Sequence, residues 1–268
     1  MIDDRYPAPR RLLKVTLLAL FVTQFLVWPL TGTLDPHLGI AATEFVLLWF
    51  IVLYIKRNGL VAEDILLLNA VPISTLLITV PTALAGGILV AEFDLQVNAL
   101  LRLYDWSAPA ELQRNVINIQ LVREFLDVPK IAATVALLPG VCEELFFRGF
   151  VFTGLYVHLG PKRALWVSAF LFAAAHFNPW QFPALWVTGL LFAALTHWSH
   201  SIYPAMLAHC TNNALSVVGI NVRTYYGTDV LAQNTPMPIA VLSIAAIVFC
   251  AGLLAISRGT RIVPLPTR

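Results

Sequence analysis

Apolar residues fall in long blocks separated by short polar joints from one end of the chain to the other. The first three blocks run about Leu12 to Leu30, Ile40 to Ile55 and Ile65 to Val90. A helix rises about 1.5 Å per residue, so about 20 apolar residues cross a hydrocarbon core of about 30 Å. Beyond Pro129 further blocks follow quickly, at about Ile131 to Val157, Ala164 to His176, Pro183 to Thr196, Ile202 to Ile220 and Pro238 to Ile256. The pattern predicts an all-α fold, a polytopic transmembrane helical bundle of about eight spans. The short blocks near His176 and Pro183 bracket Asn178-Pro179-Trp180. A re-entrant hairpin there would change the count by two.

Glu92 to Lys130 is the one long polar stretch. Within it Ser107-Ala-Pro-Ala-Glu111 starts a helix whose apolar residues are Leu112, Val116, Ile119, Val122 and Leu126. This predicts an amphipathic interfacial helix before the fourth span, although a plain surface connector has the same composition. The chain is expected to form a single membrane domain over residues 1–268. The N-terminal spans and interfacial helix occupy 1–128 and a catalytic helical core occupies 129–257.

Charge sets the expected orientation. Arg5, Arg10, Arg11 and Lys14 precede the first span and Lys56-Arg57 follow the second, whereas Thr31 to Leu38 holds no Lys or Arg. By the positive-inside rule the N-terminus faces the cytosol. Lys162-Arg163 and the tail residues Arg258, Arg261 and Arg268 fall on the same side, so both termini are expected to be cytoplasmic, in a prokaryotic inner (plasma) membrane. Arg102, Arg114, Arg123 and Lys130 strain this scheme, but long polar segments follow the charge rule less strictly. Hydrophobic residues make up 59% of the chain and charged ones 12%, far from soluble averages. The net charge of +2 without a basic cluster excludes nucleic acid as a partner. Cys142, Cys210 and Cys250 all sit in apolar blocks, so no disulfide framework follows.

Ionisable side chains inside a membrane are costly and mark function by default. The fourth block holds three of them, Glu143, Glu144 and Arg148, near its middle. Glu144 and Arg148 are four apart and stack on one helix face, where carboxylate and guanidinium can pair. Glu143 points about 100° away, and an unpaired buried carboxyl suits a general base or acid. Pro139-Gly140 one turn earlier loosens the helix and frees backbone groups. His176 lies on the next block, and His209 and Asn213 share a face on a later one, where both can donate to one developing oxyanion. A lone His176 also fits a satisfied core histidine. His197 and His200 are expected at a solvated cytoplasmic turn. His37 and His158 lie near span ends. Glu44 is near enough to the start of its span to snorkel, and Gln24 and Asn69 read as interhelical hydrogen bonders.

Glu143-Glu144-x-x-x-Arg148, Phe172-x-x-x-His176 and His209-x-x-x-Asn213 together resemble the CAAX-protease and bacteriocin-processing family, whose proteases are intramembrane glutamate proteases. The resemblance spans about Leu137 to Ala214, with the three motifs in the family's order. It implies that Glu143 and His176 activate a water, that His209 and Asn213 hold the oxyanion, and that Glu144 and Arg148 support them. The implied reaction is endopeptidase cleavage near the C-terminal tail of a membrane-tethered protein or peptide, as in CAAX or sorting-signal processing, without a cofactor. A zinc site built from Glu143, His176 and His209 is the alternative mechanism. The sequence lacks the compact His-Glu-x-x-His form, and Arg148 adds positive charge beside those ligands. A non-proteolytic immunity or assembly factor keeping the motifs as a polar core is the alternative function. A transporter would show related halves, and no internal repeat is visible.

Overall fold

Proline fixes several helix starts, because its missing N–H would have no partner in a first turn. Pro9, Pro36 and Pro161 are first helical residues, and Pro183 and Pro204 are second. The computed structural model describes residues 6–227 and 236–259; Arg5, Arg261 and Arg268, used in the topology argument, lie outside them. The described residues form helices joined by short loops, with no strand among them. The helices are α1 (Pro9–Thr31), α2 (Pro36–Asn58), α3 (Ile73–Arg102), α4 (Ala110–Gln120), α5 (127–159), α6 (Pro161–Ala175), α7 (Phe182–Ser199), α8 (Tyr203–Tyr226) and α9 (Ile239–Gly259), with a single turn at Ala62–Leu66. Four of them, α1, α2, α3 and α9, are long and apolar enough to cross a membrane. The chain is therefore a membrane protein. The larger expected number of spans depends on α5 to α8, which are shorter or carry the polar side chains.

The third expected span does not begin at Ile65. Leu67 takes a left-handed conformation (φ 52°), and Pro72 disfavours helix at the residue before it, so α3 starts at Ile73 and runs to Arg102. The resulting loop is put to structural use. Ile202 N donates to Leu67 O at 3.1 Å, Asn69 Nδ2 to His200 O at 2.7 Å, and Ser201 Oγ to Asn69 O at 2.7 Å. Asn69 is thus a loop residue that pins the turn between α7 and α8, not a polar residue on a helix. That turn is not solvated either. His200 is buried, and His197 packs its ring 5.7 Å from that of Tyr156.

The amphipathic helix expected before the fourth span, α4, begins three residues after Ser107, which supplies no cap, and ends at Gln120 because Leu121 is extended. Val122 and Leu126 therefore lie beyond it. Its end is tied to α8: Asn221 Nδ2 donates to Gln120 O and Ser216 Oγ to Gln120 Oε1, while Val122 N donates to Asn221 Oδ1.

Helix directions follow from pairs of contacts. His37 Nδ1 meets Thr134 Oγ1 at 2.7 Å near one end, and the rings of Tyr54 and Phe150 lie 4.9 Å apart deeper in, so α2 and α5 run parallel. Met237 N donates to Glu92 Oε2, while a Cβ on Gly252 would meet the Thr82 side chain, so α9 returns antiparallel to α3. Arg11 Nη1 reaches Asn58 Oδ1, and His158 Nε2 lies 3.5 Å from Tyr6 O. The starts of α1 and α6 and the end of α2 thus share one end of the bundle, which gathers Arg10, Arg11, Lys14, Lys56, Arg57, Lys162 and Arg163.

At the opposite end Asp127 opens α5. It accepts the N–H groups of Arg123 and Glu124 at 2.9 and 3.2 Å and pairs with Lys130 at 2.8 Å. The Lys130 bond first, then the backbone donors, hold its carboxyl down at about 2. A carboxyl depressed on folding stabilises the protein above its unfolded value of about 3.9, and that contribution disappears as pH falls through the folded value. Asp127→Ala is expected to melt below the wild type in detergent at pH 7, with the gap closing between about pH 4 and pH 2. A gap that does not change with pH would deny Asp127 this role.

Candidate active site

The site forms where α5 meets α6, α7 and α8, and small residues set how closely these helices approach. A Cβ on Gly140 would lie against the Cys210 side chain and 3.0 Å from Cys210 N, so only glycine lets α5 and α8 touch there. Gly189 plays the same part between α7 and α6, where a Cβ would sit 3.1 Å from Ala169 Cα. Pro139 has no N–H for the carbonyl of Val135 four residues earlier. Asn213 Nδ2 donates to that carbonyl at 3.0 Å, which ties α8 to the weakened stretch of α5. Wider π-helical turns flank the site on α5 at Ala132–Leu137 and Leu145–Phe152. Such turns are rare and concentrate where a helix must re-aim side chains.

Glu144 and Arg148 are both fully buried, and Arg148 Nη1 donates to Glu144 Oε1 at 2.9 Å. The same oxygen receives His209 Nδ1 at 2.8 Å. Arg148 Nη2 donates to Gly189 O at 3.1 Å, and the guanidinium carbon lies 4.3 Å from the ring centre of Phe172 and 5.3 Å from that of Phe192. One guanidinium therefore joins α5, α6, α7 and, through Glu144, α8. The His209 ring stacks on Phe192 at 4.8 Å. With Nδ1–H given to a carboxylate, a neutral His209 presents a lone pair at Nε2, and only the imidazolium presents a second N–H.

Glu143 and His176 form the other half. His176 Nδ1 donates to Phe172 O at 2.9 Å, so in a neutral imidazole Nε2 carries the lone pair. Nε2 lies 4.0 Å from Glu143 Oε2, too long for a direct hydrogen bond and suited to a shared third group. The His176 side chain is 31% exposed and that of Glu143 14%, with Glu143 Oε2 itself enclosed, whereas Glu144 and Arg148 are sealed, so this pair is the more accessible side of the site. His176 ends α6, and Phe177 behind it is left-handed (φ 49°). The loop leads into a cavity lined by Asp94, Arg102, Gln113, Asn178, Trp180 and Gln181, between α3, α4 and the start of α7.

The helices thus bring Glu143, Glu144, Arg148, Phe172, His176 and His209 together, whereas Asn213, one turn beyond His209, reaches α5 at the Val135 carbonyl. Glu143, His176 and His209 are not gathered as a metal set: among the described residues no three His, Cys, Asp or Glu side chains converge in that way. Glu44, expected to snorkel toward water, is instead buried on α2 beside Glu143. Asp35 caps α2 by accepting Leu38 N at 2.9 Å and starts the helix at Pro36, four residues earlier than expected. Glu44 is then the ninth helical residue, about 12 Å along the axis at about 1.5 Å per residue.

Comparison with protein families matches residues 126–215 to the Type II CAAX prenyl endopeptidase Rce1-like family. This segment is Rce1-like. The Rce1-like stretch covers about a third of the chain and includes Glu143, Glu144, Arg148, His176, His209 and Asn213. The family is one of proteases. Searches of curated proteins and of solved structures gave no match.

Breaking a buried ion pair from one side leaves an uncompensated charge and costs about 3–5 kcal/mol. Arg148→Ala is expected to lower the melting temperature and membrane yield far more than Glu143→Gln does. Glu144→Gln combined with Arg148→Met is expected to recover part of that stability. An Arg148→Ala protein as stable as the wild type would show that the pair is not what holds the helices together.

Proposed function

We propose that the chain is an intramembrane endopeptidase that cleaves near the C-terminal tail of a membrane-tethered protein or peptide by a water activated between Glu143 and His176. The carrying observation is the 4.0 Å separation of Glu143 Oε2 and His176 Nε2 on the more accessible side of a sealed ion pair. A water between them gives its proton to Glu143 while the Nε2 lone pair of His176 orients it. Attack on the peptide carbonyl places negative charge on oxygen, and His209 as imidazolium and the second N–H of Asn213 are the donors assigned to it. Glu144 and Arg148 hold His209 and the surrounding helices without touching the reacting atoms. The proton on Glu143 then passes to the leaving amine, and no covalent intermediate forms. The Rce1-like family favours a CAAX-type tail as substrate. The cytoplasmic placement of the basic end, and so of both termini, belongs to the same proposal.

The alternative of an immunity or assembly factor predicts membrane proteins that are indifferent to Glu143. Comparing membrane proteins from cells carrying the wild type or Glu143→Gln separates the two. The expected result is tails that stay uncleaved only in the variant, which remains folded because the amide keeps the shape but takes no proton at working pH. Equal cleavage would end the assignment of Glu143 as base. Asn213→Ala is expected to lower kcat by about 100-fold with KM nearly unchanged, as for loss of an oxyanion donor. A rise in KM alone would make Asn213 a substrate clamp.

A further inference from the structure

The family match starts at residue 126, yet the site extends beyond it. Glu44 on α2 is 5% exposed, and α2 packs on the stretch of α5 that carries Glu143, so that the two carboxyls are neighbours. Glu44 Oε2 and Glu143 Oε2 are enclosed and receive no N–H or O–H from any amide, hydroxyl or basic group. Two ionised carboxylates can only accept, so a hydrogen bond between these neighbours needs a proton on one of them. The neighbours decide which carboxyl keeps it. The positive charge of Arg148 acts on Glu143 as well as on Glu144, and Glu143 also faces the His176 ring. Glu44 has no cation against it and is the more enclosed of the two. The other ionisable neighbour of the pair is Cys142, one residue before Glu143, a thiol that brings no positive charge.

We infer that Glu44 is a positioning residue of the site: as a neutral acid it donates its O–H to the Glu143 carboxylate and aims that carboxylate at the space shared with His176. The inference rests on the role of Glu143 proposed above. It gives the N-terminal helices a share in the chemistry that the matched segment alone does not contain. The proton stays on Glu44 throughout, so the hydrolysis remains balanced between water, Glu143 and the leaving amine.

Two measurements test it. The infrared spectrum of purified protein in detergent at neutral pH is expected to contain a protonated-carboxyl stretch that is lost in Glu44→Gln. Unchanged spectra would overturn the inference whatever the enzyme's activity. The second measurement uses cleavage of a farnesylated reporter peptide ending in a CAAX tail. Glu44→Gln, whose amide still donates, is expected to keep kcat within about threefold, whereas Glu44→Leu loses about tenfold or more in kcat at unchanged KM. Equal kcat for the Gln and Leu variants at equal melting temperature would reduce Glu44 to a packing residue. If Glu44→Leu does not fold, the Gln spectrum decides. A wild type that leaves the reporter uncut counts against the CAAX-type function, while the infrared result still decides the role of Glu44.

Discussion

A guanidinium with no exposure to water is the constraint around which the bundle is arranged. Desolvating Arg148 is tolerable only if its charge and its N–H groups are met from several directions at once. Glu144 meets it from one turn away on the same helix, the Gly189 carbonyl from α7, and the ring faces of Phe172 and Phe192 from α6 and α7. Each of these contacts fixes a helix relative to α5. Glu144 Oε1 then accepts His209 as well, which adds α8. The polar core is thus both the reason the helices meet where they do and the platform for the more exposed Glu143 and His176.

Close backbone approach is the second requirement, because the side chains that make these contacts are short. A Cβ at Gly140 would push α8 outward and take His209 out of reach of Glu144. Pro139 weakens α5 at the level where Asn213 crosses it, and the amide of Asn213 fills the carbonyl that the proline leaves without its usual partner. An asparagine assigned to an oxyanion is therefore also a strut between helices, one N–H being spent on structure and one left for chemistry. A defect in one helix has become the attachment point of another.

Much of this was legible in the sequence, and the parts that were not share a physical cause. The four-residue spacing of Glu144 and Arg148 is a local property of one helix, so it survives into the structure even across the wider turns of α5. The all-helical fold also follows from local apolar block lengths. The burial of Glu44 beside Glu143 was missed because it depends on where α2 begins and on a partner 99 residues away. The break at Leu67 was missed because Leu68, Ala70 and Val71 keep the apolar pattern running through a loop. That loop is held by hydrogen bonds to the turn at His200 and Ser201, and hydropathy carries no trace of them. His200 looked solvated for the same reason: a polar cluster between two apolar blocks says nothing about which loop covers it.

The division of labour among the three carboxyls follows from their neighbours. Glu144 is fully buried and is met by a fixed cation and a histidine N–H. Glu143 sits about a third of a turn away, outside the ion pair, and retains partial exposure. Glu44 is enclosed, has no cation against it, and is the carboxyl to which we assign the shared proton. Three chemically identical side chains thus stand in three different surroundings. What separates them is about one third of a helical turn within α5 and the early start that Asp35 gives to α2.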